Sequence, residues 1–190
     1  MTNFIILGVV LGIPLVLFLW GVGIYNALVA MKNDIENSWA QIDVQLKRRY
    51  DLIPNLVETV KGYASHEKDT LERVIKARNA AISALQQGPG AVSEAEGALQ
   101  NAMRGLFGLS EAYPDLKANT SFLSLQEELT STENKIAFAR QYFNDRTTVY
   151  NTKIAQFPDL FVAGMFQFTR KDLFEVKEAE VREAVKVSFS

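Results

Sequence analysis

Residues 35–60 read IENSWAQIDVQLKRRYDLIPNLVETV. Within them Ile35, Trp39, Ile42, Leu46, Ile53, Val57 and Val60 recur at intervals of four and three, apart from one gap of seven after Leu46. Such spacing lines one face of an α-helix, whereas a strand would need period-two alternation that this stretch lacks. The stripe runs on through Ala64, Leu71, Val74, Ala81 and Leu85. A second stripe holds Val92, Ala95, Leu99, Ala102, Leu106, Leu109 and Tyr113, and a third Phe122, Leu125, Leu129, Ile136, Ala139, Phe143 and Tyr150. The class that follows is all-α, an antiparallel helical bundle with coiled-coil-like spacing.

Upstream, Phe4 to Met31 carries no charged side chain, and Phe4 to Ile24 is almost unbroken aliphatic and aromatic residue. About twenty such residues at roughly 1.5 Å each cross a hydrocarbon core of about 30 Å. A cleaved signal peptide would need a basic n-region and a shorter apolar run, although Gly21, Gly23 and Ala27 are small enough for a cleavage site. The reading is an uncleaved transmembrane helix, with Pro14 mid-span and Trp20 and Tyr25 suited to an interfacial belt. No stop signal separates it from the helical pattern that begins at Lys32, so the anchor is expected to continue into the first bundle helix. Lys32, Lys47, Arg48 and Arg49 follow the span and no basic side chain precedes it, which favours a cytoplasmic body.

Breakers then divide the chain. Residues 1–30 form anchor and stalk, and 31–157 the bundle, with helices about 31–87 (kinked or briefly broken near Pro54), 91–113 and 120–156. Gly88-Pro89-Gly90 reads as a tight reversal, Tyr113-Pro114-Asp115 as the end of the second helix, Asn119 or Thr120 as the cap of the third, and Phe157-Pro158 as its end. Residues 158–190 are a short apolar segment and tail expected to pack on the bundle, where Val181, Val185, Val187 and Phe189 suggest a short helix and an extended end. Leu160 to Phe168 is too short to span a bilayer. Packing is the simpler reading, and lipid contact through Phe161, Met165, Phe166 and Phe168 the alternative.

The polar residues carry little chemistry. With one histidine, no cysteine and a net charge of −2, the 190-residue chain lacks a sustained basic face for nucleic acid. His66-Glu67 resembles the start of a zinc-protease motif, but Thr70 stands where the second histidine belongs. No glycine-rich phosphate loop occurs. No catalytic, metal or cofactor-binding residue is assigned, and no enzyme activity is expected. More informative is Arg49, which occupies the stripe position after Leu46, as Arg146 does between Phe143 and Tyr150. With Asp43, Arg48, Asp51, Glu133 and Arg140 these are candidates for a structural polar layer, Arg49 pairing with a carboxylate such as Glu133 or Asp145; side chains snorkelling at the bundle edge are the plainer reading. Gly8 and Gly12 form a small-xxx-small pair for association of anchors, as do Gly23 and Ala27.

Ser38 to Val57, continuing through Val60-Lys61-Gly62-Tyr63-Ala64-Ser65-His66-Glu67, resembles the signature of the LemA family of bacterial membrane proteins. Glu111 to Asn119, Phe122-Leu123, Glu133-Asn134-Lys135-Ile136, Ala139-Arg140, Tyr150-Asn151 and Phe157-Pro158 extend the likeness over nearly the whole chain. The resemblance implies a single-pass protein of the bacterial inner membrane with a helical bundle and no firmly attached enzymatic activity. It also implies links to membrane quality-control proteases and, in one branch, to magnetosome membranes. Two functions are therefore expected: a self-associating scaffold or adaptor that binds a membrane protein partner such as a protease, or a protein that shapes or senses the membrane directly.

Overall fold

The computed structural model describes residues 1–175, apart from the side chains of residues 5, 7 and 9. The expected tail structure at Val181, Val185, Val187 and Phe189 lies outside the described residues. The helices are α1 (Thr2–Lys61), α2 (Lys68–Ala84), α3 (Pro89–Ala112), α4 (Pro114–Lys117), α5 (Thr120–Lys153) and α6 (Asp159–Met165). No strand occurs among the described residues, and the fold is all-α.

The long helix expected over 31–87 is two helices. α1 ends at Lys61, where Gly62 lowers helix stability and the apolar stripe thins to the polar run His66 to Asp69. Tight turns close it, Ala64 N–H donating to the Val60 carbonyl at 2.8 Å. Pro54, by contrast, does not end α1. A proline has no N–H for the carbonyl four residues back, which here is that of Tyr50. Arg78 of α2 supplies the missing donor, its Nε lying 2.6 Å from that carbonyl oxygen.

The chain divides into two compact units, one made of Met1–Trp39 with Tyr142–Asp172, the other of Ala40–Gln141 with the stretch from Leu173. In the second unit α2 folds back along α1, as the Arg78 bond requires, and α3 returns through a reversal at Gly88, whose φ of 95° favours glycine. α5 then runs antiparallel to α1, with Asn119 bonded to Tyr63 and Glu133 to Arg49. Asn119 also caps α5, its Oδ1 accepting from the Phe122 amide at 2.9 Å. The result is an up-down-up-down bundle whose core includes Ile42, Leu46, Ile53, Leu56, Val74, Leu99, Leu106, Leu116 and Phe122. Phe174 is buried in the same unit.

In the first unit Leu28, Ile35, Phe143, Tyr150 and Ala163 are buried, and Trp39 packs on Phe143 with ring centroids 5.4 Å apart. Along α1, burial of large side chains starts at Ile24; before it, side chains such as Val16 and Phe18 are about two-thirds exposed (65% and 67%).

Candidate functional site

The most concentrated chemistry in the second unit lies where the stripe of α1 is interrupted. Arg49 is buried, and its Nη1 donates to Glu96 Oε2 at 2.8 Å and to Glu133 Oε2 at 2.9 Å. Tyr50 Oη donates to the other Glu96 oxygen at 2.6 Å. Both oxygens of this buried carboxylate are thereby satisfied, the condition under which a bundle tolerates a charge inside it. Burial pushes the Glu96 carboxyl above its ordinary pKa, opposed by the Arg49 charge and the Tyr50 hydrogen bond. Burial, then the Glu96 charge, push the Tyr50 phenol up as well.

Arg140, Gln100 and Phe174 line a pocket of about 180 Å³ beside this cluster. Arg48 lies outside it as an exposed pair with Glu128 at 2.8 Å, and Asp43 pairs with Lys47 of its own helix at 2.6 Å. Asp51 is exposed and makes no ion pair among the described residues. Arg146 belongs to the other unit, where it faces Asp34 at 3.4 Å and lies over the Tyr142 ring. Asp145, exposed, is in that unit too. The structure thus brings together Arg49, Glu133 and Arg140 and leaves the other four predicted members elsewhere. Glu96 and Tyr50 were missed by sequence reasoning. For Glu96 a signal existed: Val92, Glu96, Leu99, Met103, Leu106 and Ser110, buried in α3 together with Ser93, form a three-four seam that shares Val92, Leu99 and Leu106 with the expected one.

Where α1 stops, Glu67 accepts from Tyr113 Oη at 3.2 Å and Asn119 donates to Tyr63 Oη at 2.8 Å, so α1, α3 and α5 are tied through their connecting segments. Beside them an open groove of about 890 Å³ has Val57, Leu71 and Ile75 among its lining and Lys61, Lys68 and Glu72 among its charged groups. His66 is exposed, and no cluster of three or more potential metal ligands occurs among the described residues.

The LemA family model matches residues 38–189. The chain belongs to the LemA family. Among relatives, Protein LemA of Metamycoplasma hominis is 28% identical over 189 residues, covering 94% of this chain and 84% of that protein. Magnetosome protein MamQ of Magnetospirillum gryphiswaldense is 25% identical over 179 residues, covering 82% of this chain and 66% of MamQ. Magnetosome protein MamQ 2 of Paramagnetospirillum magneticum is 24% identical over the same length. The exposed apolar half of α1 is long enough to cross a bilayer, and this LemA-family chain is a membrane-associated helical protein. Gly8 and Gly12 lie in that half, and a Cβ at either would meet nothing within 4 Å.

Proposed function

We propose that this LemA-family protein is a non-enzymatic, single-pass scaffold or adaptor of the bacterial inner membrane. Its bundle is cytoplasmic, and it works by associating with further copies of itself and with a membrane protein partner, such as a protease of membrane quality control. The observation that carries this reading is the unbroken helix α1, which supplies both the apolar segment and a core element of the bundle. A bundle whose own helix carries the apolar segment is held at the bilayer by its own chain, which concentrates it beside membrane proteins. The Arg49–Glu96–Tyr50 network supports the same reading, because a satisfied buried polar layer specifies helix register. The open groove between α1 and α2 is of a size and character suited to an amphipathic partner helix.

Light scattering of the detergent-solubilised full chain tests the self-association. Wild type is expected to exceed the mass of one chain, and Gly8→Leu with Gly12→Leu to lower it, because bulk at these positions separates closely packed spans. Wild type that stays monomeric at every concentration would remove self-association from the proposal. An impermeant maleimide applied to intact cells carrying Gln87→Cys tests sidedness: a protected thiol fits a cytoplasmic bundle, and a labelled one contradicts it.

A further inference from the structure

Within the first unit, α6 has two faces. Asp159 and Ala163 are buried, while Leu160, Phe161 and Met165 on the opposite side, and Phe157 just before the helix, are from 51% to 78% exposed. Three large apolar side chains on this short helix, and Phe157 just before it, form a patch that needs an apolar environment. Its place in the unit says which one. Phe166, at the end of α6, packs on Tyr25 of α1 with ring centroids 4.7 Å apart, and Phe168 packs on the same ring at 5.7 Å. The charge-free run Phe4 to Met31 has 28 residues. At about 1.5 Å each it is roughly 42 Å long, more than the hydrocarbon core of about 30 Å and close to the thickness with headgroups included. Tyr25 and the helix docked against it therefore fall at headgroup level.

At that level the same unit has a pocket of about 380 Å³ lined by Tyr25, Lys32, Asn33, Phe166, Gln167 and Lys171, among others. Lys32 is the first charged residue after the apolar run, and neither it nor Lys171 has an ion-pair partner among the described residues. The far wall is held in place. Asn151 donates to the Lys171 carbonyl at 2.8 Å and accepts from its amide at 2.9 Å, and Tyr150 Oη donates to the Thr169 carbonyl at 3.1 Å. Two unpaired ammonium groups beside polar side chains make a seat for a phosphate, next to an apolar face that can enter the acyl boundary.

We propose that α6 and this pocket form a docking site for an anionic phospholipid. Leu160, Phe161 and Met165 enter the bilayer surface, and Lys32 and Lys171 take the headgroup phosphate. The proposal rests on the reading of α1 as a membrane span, and one set of reagents separates the two. The chain has no cysteine, so Met165→Cys and Val16→Cys each give a single labelling site in the full-length protein for an environment-sensitive fluorophore. The labelled protein is reconstituted into phosphatidylcholine vesicles with and without phosphatidylglycerol, each also prepared with lipids brominated near the headgroup or deep in the chains.

The Val16 label should be quenched by the deep bromines in both compositions. The Met165 label should be quenched by the shallow bromines, with a blue shift that is larger when phosphatidylglycerol is present. Lys32→Glu with Lys171→Glu should abolish that difference while the Val16 label stays quenched. An aqueous, unquenched Met165 label beside a quenched Val16 label would overturn the lipid site and leave the span intact. Loss of quenching at Val16 would instead overturn the span. A disulfide-linked Met165→Cys dimer without lipid quenching would assign the apolar face to a second copy of the chain and overturn the proposal. Quenching at Met165 that is equal in both compositions, or a phosphatidylglycerol dependence that survives the lysine changes, would overturn the headgroup seat.

Discussion

Removing Arg49 breaks the buried ion pair of the bundle from one side. Arg49→Met keeps the apolar stem and deletes the guanidinium, leaving Glu96 with side-chain exposure of only 6% and Tyr50 as its remaining partner. Glu133 is 47% exposed and is hydrated once released, so its share of the loss is small. Breaking a buried pair from one side costs about 3–5 kcal/mol. That is a large part of a total stability of about 5–15 kcal/mol. For a chain of this size it lowers Tm by on the order of 10 °C. Glu96→Met should cost a similar amount, because it leaves both a charge and the Tyr50 hydroxyl without their partner. The triple change Arg49→Met, Tyr50→Phe and Glu96→Met removes every unsatisfied group together and should return to within about 1–2 kcal/mol of wild type. The assay is thermal and urea unfolding of the full chain in one detergent, followed by far-UV circular dichroism. Both single variants unfolding at the wild-type midpoint would refute the reasoning, as would a triple variant less stable than either.

Arg78→Met should destabilise the bundle by about 1–3 kcal/mol, because it orphans the Tyr50 carbonyl, and should cost less in a Pro54→Ala background where a backbone N–H is restored. Equal costs in the two backgrounds, measured by urea unfolding, would show that Arg78 does not serve the proline. The raised pKa of Glu96 predicts a pH effect of known sign. The folded state holds this proton more tightly than the unfolded state, so the Glu96 contribution is fully present below the ordinary value of 4.5 and is lost as pH rises through the higher folded value. Relative to Glu96→Gln, wild type should lose stability as pH increases across that window; a gain would contradict the assignment. At the α2–α3 reversal, Gly88→Ala should cost about 1 kcal/mol or more because of its positive φ, whereas Gly90→Ala, inside α3 with open space around it, should be neutral or stabilising. Thermal melts of the two variants decide it.

The helical class was legible because the stripes on α1 and α5 are long and regular. The interruption at Arg49 was equally legible, since an arginine at a seam position is a local fact of the sequence. Its main partner was not. On α3 two seams share Val92, Leu99 and Leu106; hydrophobicity selects Ala95 over Glu96, and the seven-residue repeat from Ala95 then favours Ala102 over Met103. Only the tertiary partner makes Glu96 the better inward residue, because Arg49 and Tyr50 supply its hydrogen bonds. The break after Lys61 was hidden for a related reason: Ala64 and Leu71 keep the periodicity while Gly62 weakens the backbone. Pro54 drew attention as the breaker, and its missing donor is replaced from a helix distant in sequence. For Leu160 to Phe168 composition favoured packing with lipid contact as the alternative, and the two-faced burial of α6 became visible only in the fold, where Phe166 packs on Tyr25.

The claim that this membrane-associated bundle is an assembly platform is tested most directly by the mass of the particle it occupies. Extracted from native membranes into lipid nanodiscs without detergent, the chain of 21.3 kDa is expected in particles holding several copies or one copy with a membrane protein partner. Particles that hold a single chain and no other protein would contradict the account.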